Sequence, residues 1–137
     1  MKRVLFDSDV LLDVLLERQP FFRASALALD LVAQGKVEGY IAGHAVTNLF
    51  YLLRRQLGNE KSREALNTLL VKIKVAAVTD ALIREALSSP FTDFEDAVAH
   101  SAANAEKLEA IITRNVKDFR LGTIPAIQPD IFITRLN

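Results

Sequence analysis

The residues best suited to chemistry in this 137-residue chain are carboxylates, and they fall where apolar runs end. Val4-Leu5-Phe6 delivers Asp7 and Asp9 and then enters Val10-Leu11-Leu12; Asp93, Glu95 and Asp96 open a later helical stretch; Thr113, Asn115 and Asp118 follow Ala110-Ile111-Ile112. Carboxylates gathered at one place repel one another unless protons or a divalent cation offset the charge. With no cysteine in the chain, the hard oxygen donors favour Mg²⁺ or Mn²⁺ over zinc. A metal so held lowers the pKa of bound water and neutralises charge on a phosphodiester, which is nuclease chemistry.

Such a cluster needs elements that bring distant residues to one edge. The pattern predicts a first strand over about 3–6, a helix through Val10 to Leu16, and a second helix opened by Pro20-Phe21-Phe22 and ended by Gly35. A second strand is expected over Val37 to Ala42. A helix follows over Val46 to Leu57, closed by Gly58, and another covers Glu60 to Lys72. Ile73 to Val78 reads as a short strand, with Thr79 capping the next helix. Thr92-Asp93-Phe94-Glu95 has the spacing of a capping box, with Thr92 as cap, and starts a helix to about Glu106. Ala110 to Thr113 is a fourth strand, Ile124 to Ile127 a fifth, and Pro129 to Ile133 a final helical turn. Strands alternating with helices imply a mainly parallel sheet covered on both faces, whose strand ends converge on one edge. Asp7, Thr47 and Asn48, Asp93 with Glu95 and Asp96, and Thr113 with Asn115 and Asp118 would meet there.

Composition bounds the function. Hydrophobic content of 50% and charged content of 25% fit one compact domain over residues 1–137 and exclude a disordered tail protein. Lys plus Arg equals Asp plus Glu at 17 each, so nucleic-acid binding would need a local patch, such as Arg114, Lys117 and Arg120 after the fourth strand. The absence of cysteine excludes a disulfide or thiolate site and suits a cytoplasmic setting. Met1-Lys2-Arg3 has the charged start of a signal peptide, yet Asp7, Asp9 and Asp13 interrupt the apolar segment. No run reaches the roughly 18 apolar residues of a membrane helix.

Four segments in order, Phe6-Asp7-Ser8-Asp9-Val10-Leu11-Leu12-Asp13, Asn48-Leu49-Phe50-Tyr51-Leu52-Leu53, Asp93-Phe94-Glu95-Asp96-Ala97 and Thr113-Arg114-Asn115-Val116-Lys117-Asp118-Phe119, together resemble a PIN domain, in the bacterial branch related to VapC-type toxins. The resemblance implies a three-layer α/β/α sandwich with a parallel sheet of four to five strands, metal-dependent cleavage of RNA, a homodimer, and an antitoxin partner if the protein is a toxin. It makes Asp7 and Asp96 the principal acids and Asp118 an outer metal contact. Asp93 joins the metal residues as the acid three positions before Asp96, and Thr113 and Ser8 would orient ligands or water. Asn48 stands where the family usually has Glu, and Asn115 where it often has Asp. Both replacements remove negative charge, so a weakened domain that only binds RNA or protein is the second reading.

Other residues carry plainer expectations. Asp9 and Asp13, one helical turn apart, read as a solvated or capping face. The capping box accounts for Glu95. His100, four residues after Asp96, reads as a packing residue, and His44 likewise. Leu49 to Leu53 reads as a core helix that can also supply a dimer face. Asp7-Ser8-Asp9 also resembles the start of a haloacid-dehalogenase-type phosphatase, but the later Gly-Asp-x-x-x-Asp element is missing. A receiver-like domain fails for want of a phosphoacceptor after the third strand.

Overall fold

A computed structural model describes residues 2–136; Met1 and Asn137, which fall within the expected domain bounds, lie outside the described residues. Five strands, β1 (Lys2–Phe6), β2 (Val37–Ala42), β3 (Lys74–Ala76), β4 (Ala110–Ile112) and β5 (Ala126–Ile127), form one sheet in the order β3-β2-β1-β4-β5. Every pairing is parallel. Six α-helices join them: α1 (Ser8–Leu15), α2 (Phe22–Ala33), α3 (Gly43–Lys72), α4 (Asp80–Leu87), α5 (Phe94–Ala105) and α6 (Pro129–Leu136), with a 3₁₀ turn at Val116–Phe119. The result is the expected α/β sandwich, with all five strands present and none antiparallel.

The central strands carry the core because both their faces are covered. Val4, Leu5, Phe6, Ile41, Ile111 and Ile112 are all essentially inaccessible, which is why the second halves of β1 and β2, Val4-Leu5-Phe6 and Tyr40-Ile41-Ala42, and all of β4 read as continuous apolar runs rather than alternating ones. Helices α1, α2, α3 and α6 pack on one another, as do α4 and α5. The chain leaves β1 toward β2 on one side, and β4 later pairs with β1 on the other. That reversal is a topological switch point, where open parallel sheets leave a crevice beyond the strand ends. Asp7 follows β1 and Thr113 follows β4 at this point.

Local differences from the sequence expectations have local causes. The two helices expected on either side of Gly58 share the span α3 but are separated where Gly58 takes φ 80° and ψ 174°, a backbone region that favours glycine, and they fold back on each other, so that Arg63 of the second lies over the Phe50 ring of the first. The final turn extends to a helix ending at Leu136. The cap before α5 is Asp93, whose Oδ1 accepts from the Asp96 amide at 2.9 Å. Thr92 is therefore not the N-cap, and the reciprocal bond assigned to Glu95 does not form. Asp and Thr are nearly equal caps, so neighbouring candidates cannot be ranked by residue type.

Candidate active site

Asp7 leaves β1 in an extended conformation and caps α1. Its Oδ1 accepts from the Ser8 amide at 2.9 Å, and its Oδ2 accepts from Thr113 Oγ at 2.8 Å. The Asp7 amide bonds to the Ile112 carbonyl, so the register of β1 against β4 sets the carboxylate's place. Thr113 is fully buried and accepts in turn from the Asn115 amide at 3.0 Å. Two hydrogen bonds favour the Asp7 anion, but burial and the neighbouring Asp9 and Glu95 outweigh them, pushing its pKa up from 3.8 to about 6.

Asp96, in the first turn of α5, has its pKa raised further, to about 7. Burial is the largest cause, followed by the charges of Asp7, Asp93, Asp118 and Glu95. Asp7 ionises first, and its charge then opposes ionisation of Asp96. Four expected site acids, Asp7, Asp93, Asp96 and Asp118, thus share one electrostatic environment although they come from β1, α5 and the turn after β4. Asp93 and Asp118 are exposed, and Asp93 has one oxygen committed to capping.

Sequence reasoning undervalued Asp9. Its Oδ2 accepts from the Arg114 amide at 3.2 Å and from Asn115 Nδ2 at 3.0 Å, while its Oδ1 is buried with no hydrogen-bond partner. Burial also raises its pKa. Its place one residue beyond Ser8 was visible, but its link to Asn115 spans 106 positions. Ser8 Oγ is likewise buried without a partner, so it does not orient another side chain here.

Asp13 corrects the solvated-face expectation outright. It is completely buried. Arg18 pairs with its Oδ1 at 3.0 Å, Arg114 Nε with its Oδ2 at 2.8 Å, and Ser25 Oγ donates to Oδ2 at 3.1 Å. The Arg114 guanidinium also lies 3.8 Å from the centre of the Phe21 ring. Arg114 therefore faces inward, whereas Lys117 and Arg120 are exposed in and just after the turn that carries Asp118. Asn48 is exposed on α3, one turn beyond His44, whose Nε2 meets the Glu95 carbonyl at 3.1 Å and ties the starts of α3 and α5 together. His100 is a packing residue, as expected: its ring lies against Phe91 and its Nε2 accepts from the Thr123 and Ile124 amides.

Among the described residues, no three His, Asp or Glu side chains stand close enough to form a ready metal cage. Mg²⁺ is commonly held by only one or two carboxylates together with waters and substrate phosphate. Hard donors, repelling carboxylates and an unpartnered buried oxygen on Asp9 fit a hard divalent cation in such an open site.

Comparison with known proteins matches this geometry to a fold. The solved VapBC2 of Rickettsia felis, bound to a promoter DNA fragment, superposes with a TM-score of 0.73 at 14% identity, covering 92% of this chain and 98% of that one. A toxin–antitoxin complex from Klebsiella pneumoniae gives 0.70 at 22% identity, covering 92% and 97%. VapC20 of Mycobacterium tuberculosis, a toxin that cleaves the sarcin–ricin loop, gives 0.63 at 15% identity, covering 79% and 86%. No curated protein matches the sequence. A PIN domain model matches residues 3–117, from β1 through the turn that carries Asn115. The chain belongs to the PIN domain family.

Proposed function

We propose that this PIN domain is a divalent-metal-dependent endoribonuclease that acts as the toxin of a toxin–antitoxin pair. The observation that carries the reading is the electrostatic conflict at the switch point, where the charge of Asp7 helps to raise the pKa of Asp96 to about 7. Asp7 and Asp96 would hold Mg²⁺ or Mn²⁺, with Asp93 and Asp118 further out. Bound there, the cation supplies charge neutralisation on the scissile phosphodiester and a more acidic bound water.

The chain's own residues do the rest. Thr113 fixes the Asp7 carboxylate, and Asn115 fixes both the Thr113 hydroxyl and Asp9. Exposed Lys117 and Arg120 supply the phosphate contacts that keep RNA in register. A cytoplasmic location accords with the lack of cysteine, and among the described residues no helix is long and apolar enough to cross a membrane. The similarity to VapBC assemblies supports an antitoxin partner, and the homodimer is proposed from the family resemblance alone. An acidic site favours a basic segment on that partner.

The decisive experiment is cleavage of a mixed structured RNA with Mg²⁺ or Mn²⁺, beside EDTA and Asp96→Asn. Cleavage lost in both controls is the expected result. Asn48, Asn115 and the open donor set favour the second reading, a domain that binds RNA or protein without cutting. No cleavage by folded wild type with either metal would establish that reading instead.

A further inference from the structure

Beside the acids lies a second feature that cleavage chemistry does not use. A cavity of about 340 Å³ opens where the start of α2 meets the start of α6, lined by Phe21, Ser25, Arg114, Gln128 and Asp130. Its size falls at the lower end of cavities that hold small ligands, roughly 300–1,000 Å³. We propose that this cavity receives a guanine base of single-stranded RNA next to the cleaved phosphodiester, stacked at Phe21 and read through its Watson–Crick edge by Asp130 and Gln128. The proposal rests on the ribonuclease reading for its substrate class.

Three observations carry it. First, the cavity is joined to the acids through one short run: Thr113 bonds Asp7, the Arg114 amide bonds Asp9, and the Arg114 side chain lines the cavity. A nucleotide whose phosphate lies at the acids therefore has its neighbouring base within reach. Second, the Phe21 ring and the Arg114 guanidinium stack at 3.8 Å, and Phe21 remains 39% exposed. Aromatic rings and guanidinium planes are the surfaces on which unpaired bases stack. Third, the polar lining suits a base better than a phosphate. The charge of Arg114 is already met by buried Asp13, and exposed Asp130 would repel an anion.

Asp130 also selects among bases. A carboxylate only accepts hydrogen bonds. Guanine alone offers two adjacent donors on its Watson–Crick edge, the ring N1–H and the exocyclic amine, beside a carbonyl that can accept from the Gln128 amide. Adenine presents one amine beside a ring nitrogen that accepts, which leaves the second carboxylate oxygen opposed by a lone pair.

The test is binding of pentanucleotides to the Asp96→Asn protein in Mg²⁺, one carrying a single guanine among uracils and one an adenine at the same place, with guanosine and adenosine monophosphates as separate ligands. The guanine strand is expected to bind about tenfold tighter than the adenine strand. Asp130→Ala, on an exposed first turn, should remove most of that difference. Phe21→Leu should weaken both strands about tenfold. The free nucleotides should show the same order with weaker affinity, because they lack flanking phosphates.

Equal affinities for the two strands, or a preference untouched by Asp130→Ala, would overturn the assignment. Mapping the cuts made by the wild type separates the two readings. Cutting without base preference removes the guanine site and leaves the ribonuclease; guanine-selective binding with no cutting of any RNA does the reverse.

Discussion

Asn115 gives its side-chain amide to Asp9 at 3.0 Å, and Asp9 keeps its other oxygen buried and unpartnered. The contact joins the turn after β4 to the first turn of α1, and it carries one negative charge. PIN domains often have an acid at the position of Asn115; here the acid of this contact stands on the other partner. The charge lost at 115 is thus present a hydrogen bond away, on an oxygen that sequence spacing alone assigned to solvent.

Asn115→Asp tests this arrangement. The substitution replaces a donor with a second carboxylate at hydrogen-bond distance, so a favourable contact becomes a repulsive one. In EDTA at pH 8 the variant should lose about 1–3 kcal/mol of stability. Mg²⁺ should restore more stability to the variant than to wild type, because the added charge favours cation binding. Urea denaturation with and without Mg²⁺ measures both effects. Equal stability of variant and wild type in EDTA would mean that Asn115 and Asp9 are apart in solution.

The raised acids also fix the sign of a pH effect. Asp7 and Asp96 hold protons more tightly folded than unfolded, so between about pH 4 and 7 the native state binds more protons and stability falls as pH rises. For Asp7, the rise from 3.8 to about 6 corresponds to at most about 3 kcal/mol across that window. The half-buried Asp96 contributes less than its shift implies, because solvent screens it. Denaturation in EDTA from pH 5 to 8 should show this loss, shallower in Asp7→Asn and flattened by Mg²⁺. Cleavage should rise over the same range as the carboxylates ionise. A pH dependence of stability from pH 5 to 7 in EDTA that Asp7→Asn leaves unchanged would contradict the shared environment of the acids.

How much of this was legible in the sequence depends on how far each partner lies along the chain. The strand over Val37–Ala42 was readable to the residue, although Glu38 and Gly39 interrupt it, because Tyr40-Ile41-Ala42 is a short apolar run too brief for a helix of its own. The meeting of Asp7 and Asp96 at one edge was readable because each stands at the start of a helix beside the crevice. Asp13 was not. Its spacing from Asp9 is that of a solvated helical face, and Arg114, which neutralises it, lies 101 residues away. No local pattern carries that information. The cap of α5 failed for the opposite reason, since Thr92 and Asp93 satisfy the same local rule and only the backbone path selects between them.

Asp13 therefore has a clear energetic role. Two arginines and Ser25 surround a carboxylate with no solvent exposure. Removing one partner of such a network leaves charge without compensation, typically at a cost of 3–5 kcal/mol. Asp13→Ala should reach about 3 kcal/mol, the low end, because both arginine side chains keep some solvent contact. Arg18→Ala should cost less, since Arg114 still pairs with Asp13. Chemical denaturation of the two variants decides the order. A smaller loss for Asp13→Ala than for Arg18→Ala would show that the carboxylate is not the hub.

Gly122 and His100 make a second long-range contact with a measurable signature. The His100 ring packs on Phe91 and accepts two backbone amides, from Thr123 and Ile124, through Nε2. Burial lowers its pKa, so its contribution is present above about 6.5 and is lost as pH falls through the depressed folded value. A Cβ on Gly122 would come within 2.5 Å of the imidazole, so Gly122→Ala must displace the ring and should cost about 1–3 kcal/mol. His100→Ala frees both amides and should cost a similar amount. The two losses should add incompletely, because removing the imidazole relieves its contacts at 2.5 Å and leaves the new methyl group only the Phe91 ring, at 2.9 Å. Stability of the four proteins in the double-mutant cycle measures the coupling. A Gly122→Ala penalty that persists undiminished in the His100→Ala background would place its origin in the Phe91 contact or the backbone at 122 rather than in the imidazole contact.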